Sequence, residues 1–389
     1  MKTILLELTT GTVELHSSMF TVVLFLAALA AAGVVISLVL FFKKKQKPRT
    51  ADIECFNLER SPKNPLISPD QRSYWEAEGT FNPAALLDDD GRIHLLYRAI
   101  GSDGMSRLGY ASSADGLHFE ERLSYPVYES SPGHDIPLEP LGIQEYNPIL
   151  YPSGGGWSGC EDPRAVIIDN MVYMTYVAFG GWDSIRIALT SLPLADFKRG
   201  RWNWKKPVLI SDPEMPAKNW VLFPKKINSK YAILKSVVPK IEISYVDSLD
   251  FIQSPIKSER LIGPQPGRKN YWDNIMRGAG APPIYTRYGW LLLYHAIDTK
   301  DPDKYKLGAM LLDLKDPTKI LHRGPLPLLS PEMHYENDGK PGVIYASGTV
   351  VKDDTLYVYY GGGDRHVCVA RAPLKKLLSW LIEHGSVEK

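Results

Sequence analysis

Residues 88–99 read DDDGRIHLLYRA, a polar turn followed by an apolar run rich in leucine. The same order of turn and apolar run recurs four more times, and a third, shorter apolar run follows each copy. Runs of aliphatic and aromatic residues between polar turns are typical of β-strands. The predicted second strands of the five copies cover residues 92–99, 171–178, 230–237, 289–296 and 355–360.

Repeats of about 40–80 residues that each supply three or four antiparallel strands are typical of β-propellers. Five copies therefore predict an all-β fold, a five-bladed β-propeller. A β-sandwich whose strands resemble one another by accident is the alternative. Helical spacing appears near the end of the chain, where leucines at 374, 377, 378 and 381 predict a short C-terminal helix over residues 374–384.

The N-terminal part of the chain contains an uncharged run over residues 19–42, and five lysine and arginine residues follow between positions 43 and 49. A helix of that length is about 36 Å long, which is enough to cross a bilayer core of about 30 Å. The positive-inside rule then places the basic side, and the large domain after it, in the cytoplasm. The sequence thus predicts a single-pass membrane protein; a cleaved signal peptide is the alternative.

The expected domain organisation follows from these two patterns. It consists of a short tail over 1–18, a transmembrane helix over 19–42, a basic linker over 43–57 and the propeller with its C-terminal helix over 58–389.

Composition excludes several classes of protein. Lys and Arg number 45 against 44 Asp and Glu, so the net charge is +1 and no global field favours nucleic acid as a partner. The three cysteines lack CxxC spacing, which argues against a disulfide framework or a zinc site and favours a reducing compartment. No glycine-rich phosphate loop and no paired metal ligands stand out, so neither a metal nor a cofactor is expected.

Polar side chains enter the predicted first strands, which should line the centre of a propeller. One acid, Asp162 in the stretch EDPR, stands in a set of basic residues. A structural ion pair such as Asp162 with Arg164 is the alternative for any one of them. For the whole set we expect a site for an anion such as phosphate, which accepts charge-assisted hydrogen bonds on several oxygens. The basic residues are Arg98, Arg164, Arg186 and Lys226.

Several segments, taken in order, resemble glycoside hydrolase family 130, the β-mannoside phosphorylases and related mannosidases. The resemblance covers roughly residues 58–385, and a similar set of motifs occurs in the β-1,2-mannosyltransferase/phosphorylase family. The segments are FNPAAL…LLYRA, GCEDPRAV, RIALTS, LFPKKINSKY, GAGAPPI…GWLLLYHAID, YKLGAMLLDLKDP and LYVYYGGGD.

The resemblance implies a role for each matching residue. Asp162 is implied to be the general acid, acting through the mannose 3-hydroxyl, while Asn82, Arg98 and Asp364 match positions that hold the mannosyl unit. Arg186 and Lys226 match positions that hold phosphate, and Arg164 and Lys235 are further candidates for it. Tyr294 and His295 are further candidates for substrate binding, although a core role is the alternative for a lone histidine.

The family's phosphorylases usually carry a His-Arg pair where this chain has Lys235 and Ser236, which leaves phosphate use and subfamily open. The implied reaction is the cleavage of a β-mannosidic bond by inorganic phosphate, with inversion, to give α-mannose 1-phosphate. The partners are then a β-mannoside oligosaccharide and phosphate, with a homo-oligomer left open.

A transferase that uses a nucleotide sugar or mannose 1-phosphate, a hydrolase and a non-catalytic glycan-binding propeller are the alternatives. An inverting hydrolase needs a second carboxylate about 6.5–9.5 Å from the acid. The nearest candidates in the sequence, Asp273 and Asp298, are expected to be structural or sugar-binding.

Overall fold

The computed structural model describes residues 53–130, 145–249, 255–257 and 263–386. In these residues 21 β-strands form four hydrogen-bonded sheets, and residues Cys55–Lys389 form one compact unit. The fold is therefore all-β, as the sequence predicted. All three cysteines are unpaired.

The strands fall into five consecutive units, and each predicted second strand is observed within two residues of its expected ends. A two-residue strand, β1 (Glu59–Arg60), precedes them. The units consist of β2 (Gly79–Leu87), β3 (Ile93–Ile100), β4 (Met105–Ser113) and β5 (Glu121–Arg122); β6 (Ser158–Ile168), β7 (Met171–Gly180), β8 (Ile185–Pro193) and β9 (Val208–Leu209); β10 (Val221–Leu222), β11 (Tyr231–Ser236) and β12 (Glu242–Val246); β13 (Gln265–Pro266), β14 (Ile275–Ala279), β15 (Ile284–Thr286), β16 (Gly289–Asp298), β17 (Asp301–Leu312) and β18 (Ile320–Arg323); and β19 (Ile344–Lys352), β20 (Thr355–Gly362) and β21 (His366–Pro373).

Neighbouring strands within each unit are antiparallel, as expected for chains that reverse at short turns. Units one and two belong to one sheet because the start of β4 pairs in parallel with the start of β6. The first strands of the units lie together, since β2 packs against both β6 and β19.

Unit five takes its fourth strand from the start of the domain. Glu59 and Arg60 of β1 pair with Arg371 and Ala370 of β21. The Arg60 guanidinium also donates to the Glu336 carboxylate at 2.7 Å, and this carboxylate is fully buried. These contacts join the first and last parts of the described domain.

Two α-helices occur in the described residues, α1 (Leu194–Lys198) and α2 (Leu374–His384). The bounds of α2 match the predicted C-terminal helix. Its leucines at 377 and 381 are fully buried in a core formed with strands of units four and five. Helix α2 therefore packs on the sheets and covers their apolar edge.

The first strands of four units are interrupted at one position. The pairing register breaks between Phe81 and Ala84 in β2, between Glu161 and Arg164 in β6, between Met276 and Gly278 in β14, and between Ala346 and Gly348 in β19. Such β-bulges take a residue out of the ladder and turn its side chain in a new direction.

The residues inside two of these bulges, Asn82 and Asp162, have left-handed backbone conformations with φ of 47° and 51°. Asn and Asp tolerate this region better than other side chains do. A proline follows each of them and has no N–H to pair, which suits a gap in the ladder. The sequence pairs Asn-Pro and Asp-Pro are therefore suited to form these bulges.

Asp273 lies in a buried cluster within unit four and does not face solvent. Its side chain is fully buried and forms ion pairs with Arg268 at 2.9 Å and Arg323 at 2.8 Å. The Tyr294 hydroxyl donates to the same carboxylate at 2.7 Å. The carboxylate therefore balances two arginines inside the unit, which is the structural role that the sequence suggested for it.

Neither described helix is long enough to cross a bilayer, since α1 has 5 residues and α2 has 11, against about 20 for a hydrocarbon core. No helix in the residues that the structure describes could serve as a membrane span. This finding corrects the predicted localisation as a single-pass membrane protein with a cytoplasmic domain. The predicted tail over 1–18, span over 19–42 and most of the linker over 43–57 lie outside the described residues.

The predicted boundary of the large domain leads to a test on two fragments. We expect a fragment of residues 55–389 to unfold cooperatively, because it keeps β1 and the Arg60–Glu336 pair. A fragment of residues 62–389 loses both and leaves the Glu336 charge buried without its arginine. Breaking a buried pair costs about 3–5 kcal/mol, so urea titrations should show a clearly lower midpoint for the shorter fragment. Identical midpoints would contradict a stabilising role for β1 and the Arg60–Glu336 pair.

Candidate active site

A pocket of about 760 Å³ lies where the first strands of the units meet. All five units contribute to it, and Asn82, Asp162 and Arg277 do so from the bulges of their first strands. This volume is within the range of roughly 300–1,000 Å³ that is usual for small-molecule sites. The contributors include Asn82, Asp162, Asn219, Lys235, Arg277, Tyr345 and Asp364.

Asp162 lies in the wall of this pocket and is only 4% exposed. One of its carboxylate oxygens accepts a hydrogen bond from the Asn82 amide at 2.8 Å and contacts the Arg98 guanidinium at 3.3 Å. Its backbone carbonyl accepts from the Arg164 guanidinium at 2.7 Å. The carboxylate is therefore held in one orientation by neighbours from unit one and from its own strand.

Arg98 lies beneath Asp162, fully buried and outside the pocket lining. It forms a 2.7 Å ion pair with Glu161 and donates to the Ser153 carbonyl at 2.8 Å. The second oxygen of Glu161 pairs with Lys218 at 2.9 Å. Negative and positive side chains thus alternate in the order Asp162, Arg98, Glu161 and Lys218. Charged groups that are removed from water need such pairing.

These cations determine the ionisation of the acid. Burial alone would raise the pKa of Asp162, but Arg98, Arg164 and Lys218 more than offset burial, and the pKa is lowered below its usual value. Asp162 is therefore a carboxylate at neutral pH. A negative charge placed beside these cations would act in the opposite direction and raise the pKa of Asp162.

Arg164 and His295 are buried beneath the pocket lining, next to Tyr345. The Arg164 guanidinium donates to the Tyr345 hydroxyl and, at 3.2 Å, to the Asn219 side chain. The His295 ring stacks on Tyr345 at 4.4 Å, and its Nε2 accepts the Ala346 N–H at 2.9 Å. Burial, with Arg164 nearby, lowers the pKa of His295 to about 3. His295 is therefore a neutral ring that supports Tyr345.

Basic side chains line the open part of the pocket. Arg277 leaves the ladder at the bulge of β14 and lies over the Tyr305 ring at 5.3 Å. Within the part of the chain that the structure describes, no ion pair to Arg277 is seen. Lys235 also lines the pocket and donates to the Lys257 carbonyl at 2.6 Å. The four cationic side chains of the lining are Lys218, Lys235, Arg277 and Lys340.

Three carboxylates line the pocket: Asp162 and Asp364, which the sequence proposed for the site, and Asp303, which it did not. Asp364, with φ of 49°, is largely buried and lies 3.7 Å from the Lys340 ammonium. Burial raises the pKa of Asp364, and the charge of Asp162 acts in the same direction while Lys340 opposes it. The third carboxylate, Asp303, is exposed at the rim.

Six of the residues proposed from the sequence are outside the pocket lining: Arg98, Arg164 and His295 lie beneath it, and the other three lie elsewhere. Lys226 lies at the surface, 3.7 Å from Asp169 and over the Tyr231 ring. Arg186 donates to the Ser211 carbonyl, and Tyr294 belongs to the Asp273 cluster. The structure therefore does not bring Arg186, Lys226 or Tyr294 to the candidate site.

Sequence reasoning missed several residues of the lining. In unit three the segment singled out, LFPKKINSKY, begins at the end of β10, whereas the lining residues Lys218 and Asn219 come before this strand. In unit four it began at GAGAPPI, and so missed Arg277 at the position just before. The positions of Asn82 and Asp162 within their strands could have pointed to these residues, because the lining residues of the other units lie at similar positions.

Comparison with known proteins gives a family model described as beta-1,4-mannooligosaccharide phosphorylase, which matches residues 139–383. A 1,2-beta-oligomannan phosphorylase from Thermoanaerobacter sp. is 38% identical over 82% of this chain and 98% of its own length. A beta-1,2-mannobiose phosphorylase from the same organism is 34% identical over 81% of this chain and 97% of its own.

Among solved structures, the complex of the Listeria innocua beta-1,2-mannobiose phosphorylase with mannobiose has the same fold. Its TM-score is 0.64 at 24% identity, covering 84% of this chain and 99% of that one. Another structure has a TM-score of 0.65 at 27% identity, covering 83% of this chain and 96% of that one. It comes from work showing that the GH130 family of mannoside phosphorylases contains glycoside hydrolases that target beta-1,2 mannosidic linkages in Candida mannan.

The family model covers more than half of the chain, and both Thermoanaerobacter relatives exceed 30% identity over nearly their full lengths. The chain therefore belongs to glycoside hydrolase family 130.

Proposed function

We propose that this enzyme is an inverting β-mannoside phosphorylase acting on β-1,2 linkages, and that its five strand units are the blades of a five-bladed propeller. The observation that carries the proposal is a buried acid in a pocket with an excess of cations. Six cationic side chains, four in the lining and two beneath it, face four carboxylates. Phosphate is the co-substrate, and no other cofactor takes part. The linkage is taken from the two relatives named for β-1,2-mannosides.

The buried end of the pocket is proposed to hold the mannosyl unit. Asn82 and Asp364 border this end beside Asp162, and Arg98 and Arg164 support it from below. Hydroxyl groups of a sugar suit such a mixture of amide and carboxylate partners. Asp162 donates its proton to the mannose 3-hydroxyl, the route that the family resemblance implies. This hydroxyl passes a proton on to the departing oxygen as the bond from that oxygen to the anomeric carbon breaks.

Phosphate is proposed to bind along the basic wall at Arg277, Lys218 and Lys235. One phosphate oxygen attacks the anomeric carbon from the face opposite the leaving oxygen, which gives α-mannose 1-phosphate with inversion. A phosphate dianion also offsets the cations that keep the pKa of Asp162 low. Binding of phosphate thereby allows Asp162 to carry the proton that it donates.

Hydrolysis is the second candidate function, because two further carboxylates, Asp303 and Asp364, line the pocket with Asp162. An inverting hydrolase needs a carboxylate base that activates water. Asp364 is paired with Lys340 and Asp303 lies at the rim. The excess of positive charge favours an anion over a neutral water as the attacking group, and for that reason phosphorolysis is preferred.

The first prediction concerns the acid. Asp162→Asn keeps the side-chain shape but cannot donate an acidic proton, so kcat should fall by about 10²–10⁴. Asp169→Asn, at an exposed carboxylate outside the pocket, serves as the matched control and should keep normal turnover. The measurement is release of mannose 1-phosphate from β-1,2-mannobiose. Near-normal turnover by the Asp162 variant would show that this carboxylate is structural.

The second prediction concerns phosphate. Turnover should require phosphate, and Arg277→Ala should raise the apparent KM for phosphate about tenfold or more, since charge-assisted hydrogen bonds contribute about 1.5–3 kcal/mol. The KM for mannoside should change little. Lys226→Ala, which removes a cation far from the lining, is the control and should leave both constants unchanged. Free mannose as the product, at a rate indifferent to phosphate, would make the enzyme a hydrolase.

The third prediction concerns pH. Lys218 contributes to the low pKa of Asp162, so Lys218→Met should raise that pKa. The protonated acid then persists to higher pH, and the alkaline limb of kcat against pH should move upward at saturating phosphate. Lys226→Met is the control. A limb that stays in place or moves to lower pH, in a variant with normal thermal unfolding, would contradict the coupling.

A further inference from the structure

Trp182 lies in the turn between β7 and β8 and lines the pocket. It is 54% exposed, in contrast to the 4% exposure of Asp162 in the same pocket. The pocket thus has a buried end at the acid and an open end at an indole ring. A large aromatic ring left in contact with water at a pocket mouth commonly marks a binding surface.

The orientation of this indole is fixed by its neighbours. Its N–H donates to the Leu150 carbonyl at 3.1 Å, and its ring stacks on Tyr151 with centroids 6.3 Å apart and planes 22° apart. The edge of Phe179 meets it at 5.9 Å and 87°. A ring that is already immobilised loses little side-chain entropy when a ligand binds to its free surface.

The segment beneath the indole is also tied to the reacting end. Pro152 and Ser153 follow Tyr151 directly and line the pocket. The Ser153 carbonyl accepts from Arg98 at 2.8 Å, and Arg98 in turn contacts the Asp162 carboxylate. The Pro152 carbonyl accepts from Lys340 at 2.7 Å. The distance from the indole to the acid is therefore set by a short chain of defined contacts.

We propose that Trp182, backed by Tyr151, is a platform for the far end of the leaving chain, and that the substrates include β-mannan oligosaccharides of three or more units. The apolar C–H face of a pyranose ring lies flat on an indole face, while its hydroxyls stay in water at the open mouth. This inference rests on the proposed function, since it takes the buried end of the pocket to hold the mannosyl unit that is transferred. The two Thermoanaerobacter relatives are named for substrates of different length, oligomannan and mannobiose. An aromatic surface at the open end of the pocket favours the longer substrates.

The test compares substrates of two lengths on variants of the full chain. Binding of β-1,2-mannobiose and β-1,2-mannotetraose is measured by calorimetry in an Asp162→Asn background, where turnover does not interfere. Trp182→Ala should weaken tetraose binding about threefold to tenfold, in the range of an aromatic contact, and change mannobiose binding by less than about twofold. Trp182→Phe should restore most of the affinity for the tetraose.

Tyr285→Ala is the matched control, because Tyr285 is 48% exposed but lies outside the pocket lining. It should affect neither ligand. With Asp162 intact, the loss in the Trp182→Ala variant should appear in kcat/KM for the tetraose in the presence of phosphate and not in that for mannobiose.

Two outcomes would overturn the platform. Equal losses of affinity for mannobiose and mannotetraose, or no loss for either, would show that the indole does not distinguish substrates by chain length. Ile149 and Leu150 beside it are 88% and 60% exposed. A change of sedimentation in the Trp182→Ala variant with unchanged tetraose affinity would therefore assign this patch to a contact between copies. If the native enzyme released free mannose regardless of phosphate, the phosphorylase proposal would fail, while the affinity comparison would still decide the platform.

Discussion

The candidate site depends on one backbone constraint, the interruption of the first strand in four of the units. The side chains of successive residues in a paired strand point to opposite faces of the sheet. A side chain on either face therefore does not point along the strand, toward the pocket. Asn82 and Asp162 leave the ladder in left-handed conformations, and Arg277 leaves it at the corresponding break. The hydrogen bond between Asn82 and Asp162 then links two of these bulges. The pocket is therefore built from breaks in regular structure that the surrounding sheets hold in place.

The charges around these breaks explain why the acid and the anion act together. Arg98 and Glu161 balance each other out of contact with water, and Lys218 completes that pair from the pocket side. The charge that remains is positive, since Arg164 beneath the lining contacts only neutral groups directly and Arg277 in the lining packs on Tyr305. Such a field keeps an isolated carboxylate ionised. The same field attracts an anionic co-substrate. The charge of that anion offsets the positive field and so favours the protonated form of the carboxyl group.

Much of this fold could be predicted from the sequence, because second strands are buried on both faces and read as continuous apolar runs between turns. The C-terminal helix was predicted to the residue, since its leucines have helical spacing. The motif EDPR pointed to Asp162 for a physical reason, as a charged cluster inside a buried strand needs an explanation. The polar lining was harder to predict, because Lys218, Asn219 and Arg277 lie beside short first strands that periodicity does not detect. Lys226 was assigned to the site through the family resemblance of the stretch LFPKKI, but it lies beyond β10, which ends at Leu222.

The pairing of β1 with β21 has a consequence for how the protein is made. During synthesis Glu59 and Arg60 leave the ribosome long before their partners, the Glu336 carboxylate and the strand over residues 366–373, have been translated. Units one to four can form in order as the chain emerges, but the last sheet receives its outer strand only when nearly the whole polypeptide is available. A nascent chain therefore carries β1 unpaired for most of its translation, and a truncation before residues 366–373 would leave both β1 and the edge of β20 without a partner.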